Sequence, residues 1–477
     1  MEERTAATRW LGMALGLVVV VAIGAAVGVA MPGVWGRGEP APVVLEEGAP
    51  LVVDKAALRT IDLAEVHEEL VPSWVVARGG MRELQLKTLS KALQADRSLV
   101  AIAERIGQLA EADPVLNAAE LKALVATWNA YLDAAGEPWR MEGEVVVNLG
   151  DDLFALRTYR VIYDGETRVG KHEYRTRLQR RADDTTQVEP YLGHVQSWKE
   201  GVLLLHDRIR DYTLDEVWVL LDEDLDVGDD PIRKAFLAPL RAEMRSALGD
   251  EVVDRLAVAA AHRRAMLDVV AQVHSRHRCG SQFLISRVPW NGFQPADVAR
   301  LEVHAAAAAH QECPDVTPEE ARVLVSSSRL IREQEGLKDA LERLIAWVAG
   351  AVVIHEARHA ADDDGRAGNG APLVCLDCPP ELKRVGVLEA SAYVASFAAP
   401  KRGVLSMYQA CRLEKERTPV RAEAVAFLME RLGTTCVDGP PPDPVERGRG
   451  VEVELFGRLT PVDLLDFPVG LPATDLR

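Results

Sequence analysis

The stretch "AVVIHEARHAADDD", residues 351–364, sets His355, Glu356 and His359 in the order H-E-x-x-H. On a helix, side chains four residues apart share a face, so the two imidazoles are offered one turn apart to a single ion. Nitrogen ligands at this spacing suit Zn2+, whose catalytic sites take three protein ligands and keep a fourth position open. Glu356 projects roughly 60° round the helix axis from His359. A carboxylate beside such an ion can take a proton from water and return it to a leaving amine. The chemistry implied is hydrolysis of a peptide bond through a zinc-activated water whose pKa is lowered to about 7, with Glu356 as general base.

Two histidines can also be ordinary core residues satisfied by hydrogen bonds. Their register argues for a site. In "LKDALERLIAWVAGAVVIHEARHAADDD" the residues Leu341, Leu344, Ile345, Val348 and Val352 follow helical spacing, and His355 and His359 continue the same stripe. The motif therefore faces inward. A third ligand is expected from "GVLEASAYVASFAAP", a second buried helix in which Glu389 is an acid among apolar and small residues. A carboxylate in such surroundings is costly unless paired or bound to a metal. Asp362, three residues after His359, is placed to hydrogen-bond the distal nitrogen of a ligand histidine.

These residues resemble the gluzincin type of zinc metallopeptidase, in which H-E-x-x-H on one helix is completed by a Glu from a later helix. The resemblance is confined to about residues 337–400. It implies that His355, His359 and Glu389 bind Zn2+ and that Glu356 is the catalytic base. Tyr393, four residues after Glu389, stands where an acid is often found in that family; it implies a hydroxyl placed to hydrogen-bond the oxyanion. Arg358 is a departure, since an uncharged residue is usual there. The metzincin continuation is absent, because Asp362 stands where its Gly would be.

The elements that must position these residues are legible in outline. The uncharged run Trp10–Met31 is long enough to cross a bilayer as a helix, and a signal anchor is the expectation. Gly28 and Ala30 flank Val29, so cleavage after Ala30 is the alternative. Residues 1–9 are then cytoplasmic, 32–54 a Gly- and Pro-rich linker, and the bulk of the chain extracytoplasmic, periplasmic or at the cell surface. Periodicity makes 55–139 helical, with Asn117 and Glu120 as a capping pair. Strands are expected within 140–231, with Asp164-Gly165 as a hairpin turn. The pattern returns to helix over 232–436, and 437–477 reads as a Pro-rich linker and C-terminal tail. The fold class expected is α+β, predominantly helical, with a mixed middle region and a helical, zincin-like C-terminal domain.

Composition narrows the partners. A formal charge of −18 argues against a nucleic-acid binder, which depends on clustered Lys and Arg. A protein or peptide substrate, the membrane through one N-terminal helix, and an envelope protein partner are the expected associations. The six cysteines all lie in the C-terminal half, and outside the cytoplasm they read as disulfides, with 15 connectivities open. Cys375 and Cys378 with the two histidines are a competing Cys2His2 structural zinc site. The competing class is a non-catalytic cell-envelope binding or scaffold protein with a degenerate or structural metal motif.

Overall fold

The computed structural model describes residues 53–77, 80–146, 153–183, 191–195, 201–275, 288–308, 316–365, 373–413 and 419–473. The expected membrane segment 10–31, the residues Cys279 and Cys313, and most of the linker lie outside them. Among the described residues no helix is long and apolar enough to cross a membrane. Helix dominates, with one curled sheet in the middle of the chain, so the class is α+β.

The chain divides into two compact units. The first runs to Ile162 and also takes in Gln179–Val188 and Glu416–Pro419; the second holds Tyr163–Leu178, Glu189–Lys415 and Val420–Arg477. The division falls inside two strands. In the first unit, helices α1 (Gly80–Ala92), α2 (Arg97–Ala112) and α3 (Ala118–Ala135) precede strand β1 (Trp139–Val146). Leu99, Ile102, Ile106 and Leu109 recur at helical spacing on α2 and are buried, as are Leu121, Leu124, Trp128 and Leu132 on α3. Asp96 caps α2 by accepting from the amides of Ser98 and Leu99 at 3.0 and 3.2 Å. Asn117 stands at the α3 N-cap but does not cap with its side chain; its Nδ2 donates back to Asp113 O at 2.8 Å, and Glu120 binds Arg105 instead. The preceding helix end competes for the same amide, which the spacing alone does not reveal.

His67 anchors this core. It is fully buried, stacks on Trp139 with ring centroids 5.1 Å apart, and meets Trp128 edge-on. Its Nδ1 lies 2.8 Å from Leu63 O, while its Nε2 accepts from Trp128 Nε1 at 3.2 Å. One nitrogen donates and the other accepts, which is the neutral imidazole.

Strand β1 pairs antiparallel with β2 (Leu153–Val169), with Trp139 opposite Arg160 and Val146 opposite Leu153. β3 (His172–Arg181) follows after a turn at Gly170-Lys171, then β4 (Gly193–His194) and β5 (Val202–Leu205). The strand order is β1-β2-β3-β5-β4. Asp164-Gly165, expected as the hairpin turn, lies within β2. The turn falls at Gly170 because its φ of 61° is the left-handed conformation a tight turn needs. The Asp164 carboxylate pairs with Arg175 and Arg177 on the returning strand.

In the second unit helix resumes at α4 (His206–Tyr212), well before residue 232, where the sequence pattern places it. Then come α5 (Pro231–Leu248), α6 (Asp250–Ser275), α7 (Pro295–Ala308), α8 (Pro318–Glu333) and α9 (Leu337–Asp364). They are followed by α10 (Arg384–Phe397), α11 (Gly403–Leu413), α12 (Pro419–Arg431) and α13 (Pro444–Phe456). The segment expected as a tail is part of this body. α13 buries Val451, Glu452 and Leu455, β6 (Val462–Asp463) pairs with β2, and Leu471 N donates to Glu342 O at 2.9 Å. Proline sets the start of α13 at its first turn, where no amide hydrogen is needed, and Asp443 accepts from Glu446 N.

Burial lowers the His67 pKa from 6.5 to about 4, against the Leu63 hydrogen bond that raises it. The unfolded chain therefore takes up a proton below pH 6.5 that folded His67 refuses. Its contribution is complete above pH 6.5 and is lost as pH falls toward 4, by about 3 kcal/mol at the end. Protection factors of the α3 amides, corrected for intrinsic exchange at each pH, should fall as pH drops across that window, and His67→Gln should flatten the pH dependence.

Candidate metal centre

Helix α9 spans the range its periodicity implies, and it is buried more completely than one stripe requires. Every residue from Leu344 to Ile354 is buried, on all sides of the helix, because Ala346, Trp347, Ala349, Gly350 and Ala351 fill the positions between the stripe residues. Each fully buried leucine, isoleucine or valine is worth roughly 1.5–3 kcal/mol, so the helix is held firmly along this length. Burial relents at the motif: His355, Glu356 and His359 are half-buried. About three rigid turns of core helix thus deliver the motif to an accessible face.

Helix α10 packs directly against α9 and brings Glu389, which is 4% exposed. His355 Nε2 and His359 Nε2 lie 3.2 Å apart. Glu389 Oε2 is 3.6 Å from the first and 3.7 Å from the second. The carboxylate contacts are too long for good hydrogen bonds. They match the spacing of atoms around a shared ion: a circle through three points at these separations has a radius of about 2.0 Å, the length of a zinc–imidazole or zinc–carboxylate bond. The three residues fit a metal ion, and among the described residues they are the one group of three ligating side chains so arranged. The Glu389 carboxyl would be pushed up by burial, but His355, His359 and Arg421 bring it well below the usual range. Burial pulls His359 down, yet Glu389, Glu356 and Asp362 together turn its pKa upward.

The other expected residues fall into two groups. Glu356 lies beside the cluster and forms no hydrogen bond or ion pair among the described residues, so its carboxylate is free to act on a bound molecule. Strand β4 runs next to it: a Cβ on Gly193 would stand 3.1 Å from Glu356 Cγ and from Val352 Cγ1, so glycine is what lets the backbone come this close. Tyr393 packs its ring on His355, centroids 4.5 Å apart, and so belongs to the wall of the site.

Asp362 is placed otherwise than its spacing implies. Its side chain is fully buried with Arg358, whose Nε lies 3.3 Å from Oδ1, and with Arg458 at 3.6 Å. Arg358, the residue that departs from the family pattern, is 0% exposed. Its Nε donates to Ser391 Oγ on α10 at 2.9 Å, and a second nitrogen donates to Glu452 Oε1 on α13 at 2.9 Å. Glu452 accepts from Thr460 N as well, at 3.0 Å. Buried Arg358 and the partly exposed Arg458 thus balance two buried carboxylates, and the network joins three helices. Tyr174 on β3 donates to Asp364 at the end of α9, 3.0 Å away.

Arg421, on α12, is a site residue that spacing does not reveal. Its Nε donates to Glu389 Oε1 at 2.9 Å. An arginine 32 positions after its partner carries no periodic signal. Cys375 and Cys378 are bonded to each other, as are Cys411 and Cys436. The sulfurs of the first pair are therefore occupied, which removes the Cys2His2 alternative. Comparison of the chain with protein-family models, with curated proteins and with solved structures finds no match in any of the three.

Removing Arg358 leaves Asp362 and Glu452 in the core with half their counter-charge. Arg358→Met should therefore destabilise the unit by roughly 3–5 kcal/mol, read as a lower urea midpoint, with Arg358→Lys recovering part of the loss.

Proposed function

We propose that this chain is a zinc-dependent peptidase of gluzincin type. The observation that carries the reading is the triangle of His355 Nε2, His359 Nε2 and Glu389 Oε2 at 3.2, 3.6 and 3.7 Å, with Glu356 beside it and making no hydrogen bond or ion pair among the described residues. Two imidazoles and one carboxylate suit zinc, and a half-buried position leaves room for a further ligand. A zinc ion held there supplies Lewis acidity, polarising a carbonyl and bringing the pKa of water toward about 7.

The chain's own residues do the rest. Glu356 takes the proton of the attacking water and delivers it to the departing amine, so one carboxylate serves as base and then acid. Tyr393, packed on His355, closes one side of the site, and its hydroxyl is offered to the oxyanion. β4 is the last strand in its order, so one of its edges carries no further strand among the described residues. An extended peptide can pair with such an edge, next to Glu356. This favours a peptide or protein as substrate over a compact small molecule.

We further read the chain as anchored by residues 10–31 with its bulk outside the cytoplasm, where it would also meet an envelope partner. The apolar run and the two disulfides support this.

Elemental analysis of the purified full chain should find about one zinc per molecule, lost in Glu389→Ala. Glu356→Gln should keep the metal and lower turnover of a peptide library roughly 10^2–10^4-fold. A folded chain that takes up no metal would sink the proposal. Metal retained with no hydrolysis of any peptide would instead leave an envelope binding or scaffold protein.

A further inference from the structure

We infer that Arg421 is a positioning residue for the metal ligand Glu389, holding one carboxylate oxygen so that only the other is presented to the ion. The inference rests on the metal reading above. A carboxylate can bind a metal through one oxygen or both, and the choice decides how many positions are left for substrate and water. Here the two oxygens of Glu389 are divided. Oε1 accepts from Arg421 Nε at 2.9 Å, while Oε2 faces His355 Nε2 and His359 Nε2 at 3.6 and 3.7 Å. The glutamate side chain is 5% exposed, so water does little to orient it, and the guanidinium sets its rotation.

Two consequences follow for the site. With Oε1 engaged, the donor set is two nitrogens and one oxygen, which keeps the fourth position open. The same contact fixes the rotation of the carboxylate, so Oε2 is presented to the ion without rearrangement. Arg421 is itself about one-third exposed, and α12 reaches the site from outside the α9–α10 pair. Truncation there removes a contact and not a piece of core. The arrangement is the hydrogen-bonded support that metal-ligating carboxylates commonly have, with a cation in the supporting role.

The test is metal binding by the full chain, measured by chelator competition for Zn2+ and by the visible absorption of the Co2+ form. Arg421→Gln should weaken Zn2+ binding roughly 10- to 100-fold and alter the Co2+ spectrum as the freed oxygen joins the coordination sphere. Arg421→Lys, which keeps a positive donor but not the planar fork, should fall between the two. Circular dichroism of the apo forms checks that the helices are intact; a variant that unfolds gives way to the other. A folded Arg421→Gln or Arg421→Lys with wild-type affinity and an unchanged Co2+ spectrum overturns the inference. A wild-type chain that binds neither ion overturns the metal reading itself, and this inference with it. The two failures are therefore separable.

Discussion

A guanidinium with no access to water cannot stay charged unless carboxylates and hydroxyls surround it, and Arg358 meets that condition through Asp362, Ser391 and Glu452. Satisfying it commits the chain to one arrangement of α9, α10 and α13. Arg358 lies between Glu356 and His359 on α9, and Ser391 lies two residues from Glu389 on α10. The requirement that closes the charge network therefore also decides how the helices bearing His355, His359 and Glu389 approach. The late segment that sequence composition marks as a tail supplies Glu452 and Arg458, and so completes the core of the unit that holds the site.

Seen from the site outward, the molecule separates two tasks. The all-round burial of Leu344–Ile354 makes α9 a rigid support, and the polar chemistry is confined to the turns where the helix comes out of the core. The donor atoms are then spaced by rigid elements and not by loops, which is what a metal requires of a site that must bind without rearranging. Glu356 gains its freedom from the same geometry. It is one residue from a ligand, yet it points toward β4 and away from the charge network on the far side of the helix.

Legibility varied with the range of the interaction. The parts of the candidate group were readable because each is a local statement: two histidines at helical spacing, and an acid in an apolar helix. Asp362 shows where local spacing misleads. Three residues after His359 is a reasonable place for a hydrogen-bond partner, but an arginine one turn earlier on the same helix was the stronger attraction for a buried carboxylate. The turn expected at Asp164-Gly165 failed for a similar reason, since that aspartate has arginines to pair with across the strand.

By itself the sequence determined the class of fold, the extent of α9, and a cluster of His355, Glu356 and His359 on that helix. All of these follow from backbone geometry that repeats every few residues and needs no distant partner. Only the tertiary structure decided that Glu389 reaches the two histidines, that Arg421 grips its other oxygen, and that Arg358 is the centre of a buried charge network. These depend on which segments far apart in the chain become neighbours. Packing of the whole core settles that, because a buried charge is stable only where several helices meet around it.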